Sequence, residues 1–317
     1  MTNQTTPQPY NWPVPLATLL AAVAMLYYRK ADAFHTPQFW AEDGIWFMQQ
    51  YSHGARSLFM EYSGYYHLYP RLIALIAACF RLSATPAIYN YAALIGTCFV
   101  ILLVFSPRIE LPYKPLIALA VVATPIEGRE VFMCLTNTQW ILALGAVLIA
   151  ISDAPRTTRG KLFDAIALAG IGLTGPFVLA FLPLFAFRAY HRRDRYDLVL
   201  LGVAAVCGLV QLYNLTEANI APHPDSKLTD LIYLLARFFG FPFAAQHARA
   251  YPPQLALAWL ISSAAILSYG FMIYRAITLR AYTTLTILAA GLLILGSTLL
   301  KYSLALHLLY DAGPRYY

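Results

Sequence analysis

Nine apolar runs recur along the chain, at residues 12–28, 86–105, 115–126, 139–152, 162–174, 176–187, 196–215, 254–274 and 283–300, and the charged residues collect between them. Runs of this length predict helices, and helices apolar on every side belong in a membrane or a large core. The first run would be roughly 25 Å long as a helix, just adequate for a hydrocarbon core of ~30 Å. Residues 1–11 lack the basic residues of a signal peptide. The run is therefore read as a retained span, although Ala31-Asp32-Ala33 mimics a cleavage step. Several later runs are short and are punctuated by Pro and Gly, which suits helices shielded by neighbouring helices rather than bathed in lipid.

One further run, residues 72–80, is bracketed by Arg71 and Arg81. Its helical length of roughly 13 to 14 Å is less than half the hydrocarbon thickness, so it is expected to be a half-inserted or interfacial helix. The basic loops set orientation. Arg156, Arg159 and Lys161 crowd one loop, Arg188, Arg192, Arg193 and Arg195 a second, and Arg275 and Arg280 a third. All three are expected to be cytoplasmic. The expectation is an all-α, polytopic transmembrane bundle of about nine crossings plus interfacial helices, with residues 1–317 as one transmembrane domain. Its N-terminus is then cytoplasmic and its C-terminus external. The polar segments 29–69, 127–138 and 216–253 face the outer side, the first and last of them as large outer loops.

Composition agrees. Apolar residues make up 60% of the 317 and charged residues 12%, against roughly 45 to 50% and about 25% for a soluble domain. This excludes a water-soluble globular enzyme, and an aromatic content of 15% excludes disorder. The net charge of +7 is explained by topology-setting loops, so no nucleic acid partner is expected; membrane lipids are. Cys98 and Cys207 lie inside apolar runs, and Cys79 and Cys134 sit at run edges without CxxC spacing. Neither a disulfide framework nor a metal site follows. The seven histidines form no HExxH or HxxxH, and no P-loop or GxSxG is present.

The chemistry-bearing residues gather in the outer segments. Residues 37–51 read as an amphipathic interfacial helix whose Phe39, Trp40, Trp46 and Phe47 anchor at headgroup level, with Glu42 and Asp43 in their midst. Carboxylates at the membrane edge are candidates for function, or simply face water. In residues 64–71, Tyr66, His67 and Arg71 meet the start of the short helix. There Arg71 has two readings, as a phosphate ligand helped by free helix N–H groups or as a residue snorkelling to headgroups. The segment from Glu127 through Arg129 to Asn137, Gln139 and Trp140 packs acid, base and amide together, as a site or as a solvated hairpin. Residues 228–243 are expected to be another interfacial helix, and Arg315 stands between aromatic residues near Tyr317.

Phe39-Trp40-Ala41-Glu42-Asp43-Gly44, then residues 64–72, then Asn137-Thr138-Gln139-Trp140, and last Gly313-Pro314-Arg315-Tyr316 follow one another in an order that resembles the GT-C superfamily of polytopic glycosyltransferases. The resemblance covers most of the chain. It implies inverting transfer of a sugar from a polyprenyl-phosphate donor to an acceptor hydroxyl on the non-cytoplasmic face. A carboxylate of the first outer loop would be the general base, at Asp43 or Glu42 with Asp43 favoured. Arg71, Arg129 and Arg315 would bind the donor phosphate, and His67, Tyr66, Asn137, Gln139 and Trp140 would line the substrate site. Some members hold a divalent metal at the acidic motif and others do not; no metal and no other cofactor is predicted for this chain. Members often continue past the transmembrane core, so a chain ending at Tyr317 reads as a short or a truncated one.

The acceptor implied is an envelope glycan, a lipid or a protein, and the setting is a bacterial inner membrane. Two alternatives stand beside this reading: a transporter or flippase of lipid-linked saccharides, and a non-catalytic membrane scaffold subunit.

Overall fold

The computed structural model describes residues 12–40, 42–124, 131–217 and 252–301. The described chain is all-helical: α1 (Pro13–Arg29), α2 (Ala31–His35), α3 (Asp43–His53), α4 (Leu68–Ala77), α5 (Thr85–Val104), α6 (Lys114–Ala123), α7 (Thr138–Ile151), α8 (Thr158–Gly172), α9 (Phe177–Arg192), α10 (Arg195–Glu217), α11 (Pro252–Thr278) and α12 (Tyr282–Lys301), with short 3₁₀ turns at Gly54–Phe59 and Leu82–Ala84. Every one of the nine apolar runs falls on a helix. Local chemistry sets several boundaries. Proline sits in the first turn of α1, α5 and α6, where its missing N–H is harmless. The Thr157 side chain accepts from Gly160 N at 3.1 Å and so starts α8 one turn before the apolar run.

Two stretches among the described residues are long and apolar enough to cross a membrane, Leu82–Val104 and Arg195–Leu215. Five other apolar helical stretches, those at Pro13–Arg29, Leu68–Ala77, Lys114–Ala123, Thr138–Ile151 and Tyr282–Ser297, are shorter. The main core joins residues of α1, α5 to α10 and α12, while a smaller cluster of Trp46, Ala74, Ala77, Tyr89, Ala92 and Leu135 lies under the first polar segment.

The helices between α5 and α10 connect two polar layers. One layer contains the C-terminal ends of α5, α7 and α9 and the starts of α8 and α10. There Arg108 grips Asp164 with two bonds of 2.6 and 2.8 Å, and the Tyr196 hydroxyl donates to the same carboxylate. Beside them Arg188 Nε meets Asp197 at 2.6 Å and its Nη1 donates to the last carbonyls of α7, at Ile149 and Ala150. The Ile149 carbonyl also accepts from Ser152 at the end of the helix, and a cation at these last carbonyls suits the helix dipole. The other layer holds the start of α7, the turn after α8 and the far part of α10. Gln211 of α10 accepts from Tyr66 N and donates to the carbonyls of Tyr66 and Gly172.

Four expectations change. Arg188 is not a loop residue but a buried strut within α9. The interfacial helix begins at Asp43 rather than residue 37. Trp46 is not a headgroup anchor: it has 0% exposure and lies in the smaller core. Nor are residues 131–139 a solvated hairpin, since each is buried. Glu127, Arg129, residues 216–253 in most part, the predicted helix 228–243 and Arg315 lie outside the described residues.

Candidate functional site

Asp43 is the first residue of α3 and is fully buried. A carboxylate suits that place because unpaired N–H groups at a helix start favour negative charge. Its main partner comes from the buried segment before α7. Thr136 N donates to Oδ1 at 2.9 Å and the Thr136 hydroxyl donates to the same oxygen at 2.7 Å. Trp46 Nε1, one turn along α3, donates to the Thr136 hydroxyl at 2.6 Å. Cys134 Sγ stands 3.9 Å from Oδ1, while Oδ2 receives only a long bond of 3.4 Å from Trp40 N. Burial pushes the Asp43 carboxyl above the usual carboxylate range, and the bonds from Thr136 offset part of that rise.

Arg71 of α4 lies over the ring of Trp46, its guanidinium carbon 4.9 Å from the ring centroid. It is 1% exposed. Its Nη1 donates to Gln49 Oε1 at 2.7 Å and its Nη2 to the Glu61 carbonyl at 3.3 Å, while Nε has no partner. Among the described residues, neither Asp43 nor Arg71 is in an ion pair. Burying a charge outside an ion pair is costly, so an acid bonded to Thr136 and a cation over the Trp46 ring are an arrangement that packing alone would not favour.

His67 completes the cluster. Its ring lies 4.8 Å from Trp46 and 4.4 Å from Tyr65. Gln139 reaches Tyr65 with Nε2 at 3.4 Å, and its buried Oε1 has no hydrogen-bond partner. Gly175 lies against that amide with φ of 146°; a Cβ there would stand 2.5 Å from Oε1, so only glycine fits. Glu42 also carries a buried oxygen without a partner.

The structure thus brings together Asp43, Arg71, His67 and Gln139, with Glu42 at the margin. Tyr66 lies near Arg71, with its backbone tied to Gln211 and its hydroxyl donating to the Leu58 carbonyl. Trp140 packs edge-on against Phe177 at 4.7 Å, and Asn137 stands just before α7, next to Thr136, without a side-chain capping bond to the helix. The first turn of α4 offers less to an anion than expected. Leu68 N donates to the Leu173 carbonyl and Tyr69 N to the Thr174 hydroxyl, so those helix N–H groups are occupied. Any phosphate there would rely on the Arg71 side chain.

Thr136, Gln49 and Tyr89 were missed by sequence reasoning. Thr136 sits 93 residues from Asp43 with no spacing to link them. Among the described residues no three His, Cys, Asp or Glu side chains come together as metal ligands. The donors aimed at Asp43 Oδ1 are hydrogen-bond donors and do not fit that oxygen to a divalent cation. Comparison with known proteins gave no matching family model, no similar curated protein and no similar solved structure.

Proposed function

We propose that this chain is a polytopic membrane glycosyltransferase, crossing about nine times, that moves a sugar from a polyprenyl-phosphate donor to an acceptor hydroxyl on the non-cytoplasmic face. One observation carries the reading: a fully buried carboxylate and a fully buried guanidinium, unpaired with each other, are linked through one tryptophan, Asp43 by way of Thr136 and Arg71 over the ring. The acceptor hydroxyl attacks the anomeric carbon from the side opposite the phosphate, inverting the configuration. Its proton passes to Asp43, and the bond to phosphate breaks with the electron pair leaving on the phosphate, which Arg71 stabilises. The raised affinity of Asp43 for a proton makes it a better base than an exposed aspartate. Glu42 is the second carboxylate of the motif.

Alternating helix direction between two polar layers supports the crossing number, as do outward-facing Leu20, Ile95, Leu116, Ile166 and Leu209, which lipid would cover. The layer of Arg108, Arg188 and Arg192 is the cytoplasmic one on this reading, in an inner membrane. Asp164, an acid within a helix, is saturated by Arg108 and Tyr196, which deprives the transport alternative of a free titratable group at that position.

The deciding assay is transfer of radiolabelled sugar from membrane polyprenyl-phosphate donors at matched expression. Asp43→Asn is expected to lower transfer by about 10² to 10⁴-fold, as for loss of a general base, and Glu42→Gln far less. Transfer equal to wild type in both variants would overturn the assignment.

A further inference from the structure

Building on Asp43 as the base, the bonds around it distinguish its two oxygens. Trp46 Nε1 is a donor only, so at 2.6 Å the Thr136 hydroxyl must accept from it and turn its own proton toward Asp43 Oδ1, 2.7 Å away. The Thr136 N–H reaches the same oxygen at 2.9 Å. Oδ1 therefore takes both short bonds, while Oδ2 takes the long one from Trp40, and the Leu135 N–H also faces the carboxyl. The Arg71 guanidinium over the Trp46 ring draws electron density from the indole and strengthens its N–H as a donor.

We infer that Trp46 and Thr136 are positioning residues that reserve Oδ2 as the atom taking the acceptor's proton. In the neutral acid the O–H is on Oδ2 and Oδ1 is the carbonyl oxygen. In transfer the acceptor O–H breaks, its proton goes to Oδ2, and the freed oxygen pair forms the bond to the anomeric carbon. The ionisable groups facing Asp43 are Glu42 beside it, Cys134 from the segment before α7 and Tyr89 from α5, with His67 and Arg71 across Trp46. The Trp46 and Thr136 bonds are the asymmetric element among these, since they act on one oxygen.

Infrared difference spectroscopy of the full-length chain carrying carbon-13 aspartate tests this, with the Asp43 band identified by its loss in Asp43→Asn. In Thr136→Val the C=O stretch of protonated Asp43 moves to higher wavenumber, because Oδ1 has lost a donor, and its apparent pKa rises by about one unit. Thr136→Ser restores both. Trp46→Phe keeps a ring beneath Arg71 and shifts the band the same way by less, which covers the case in which Thr136→Val does not fold. In the transfer assay Thr136→Val lowers kcat about tenfold with KM little changed, and its pH profile moves with the band. An unmoved C=O stretch in folded Thr136→Val would put the proton on Oδ1 and overturn the inference. A shift equally large in Thr136→Ser would assign the effect to packing and overturn it too. The band needs no turnover: if it shifts as expected while the wild type transfers no sugar, the proposed function fails and the assignment of the two oxygens stands.

Discussion

At the scale of single residues, Asp43 and Arg71 carry opposite consequences of burial. The folded state holds a proton on Asp43 more tightly than the unfolded chain, whose carboxyl titrates near ~3.9. Its contribution to stability is therefore fully present below that pH and is lost as pH rises through the higher folded value. Thermal unfolding in detergent should show Asp43→Asn gaining on wild type as pH increases. Transfer needs the ionised form and should rise over the same interval. Arg71 keeps its charge at every working pH and matters through geometry. Arg71→Lys loses the planar fork to Gln49 and the Glu61 carbonyl as well as the stacked face on Trp46. The expected loss is roughly 10²-fold in transfer with the fold retained, read as kcat together with the unfolding midpoint.

At the scale of elements, the site depends on how closely α5 and α7 approach. A Cβ on Gly96 of α5 would stand 2.7 Å from Thr138 Cγ2 at the start of α7. Thr138 has little room to yield, since its hydroxyl donates to the Cys134 carbonyl at 3.0 Å. Gly96→Ala should cost about 1 to 3 kcal/mol of stability and, by shifting the segment that bears Thr136, lower transfer as well. Thermal unfolding and the sugar assay on one preparation check both. The helices themselves were legible because long apolar runs need only local information; the short run 72–80 bracketed by Arg71 and Arg81 is indeed a short helix, but α4 starts earlier, takes in Arg71 and ends at Ala77. The fate of Trp46 was not legible. Lipid and protein interior are both apolar, so an indole suits a headgroup anchor and a buried core equally until its neighbours are known. The Asp43–Thr136 contact and the Arg188–Asp197 strut were hidden differently: each depends on which helices pack together, and no local spacing reports that.

For the whole molecule, two polar layers about one helix length apart imply two faces. α7, with 14 residues, separates them by roughly 21 Å. Phe59 is 84% exposed beside the Asp43 layer, and Tyr113 is 77% exposed beside the Arg108 layer. With the exposed Cys79 replaced by serine, Phe59→Cys and Tyr113→Cys should react with a membrane-impermeant thiol reagent from opposite sides of sealed vesicles. Reaction of both from one side would dismiss the crossing pattern and leave the chemistry of the cluster as a separate question.

The way α4 is held has a consequence for biosynthesis. Its first N–H groups are satisfied by Leu173 and Thr174, about a hundred residues later in the chain. While the ribosome is still making α5, α6 and α7, those donors have no native partner, although Gln49, Glu61 and Trp46, the neighbours of Arg71, have already been made. The turn after α8 must be synthesised and return to the layer that holds α4 before the start of that helix can adopt its final form. Asp43 thus waits for Thr136 and the start of α4 waits longer still, so a chain interrupted before residue 173 would carry Asp43, Trp46, Thr136 and Arg71 but leave the first turn of α4 without its native acceptors.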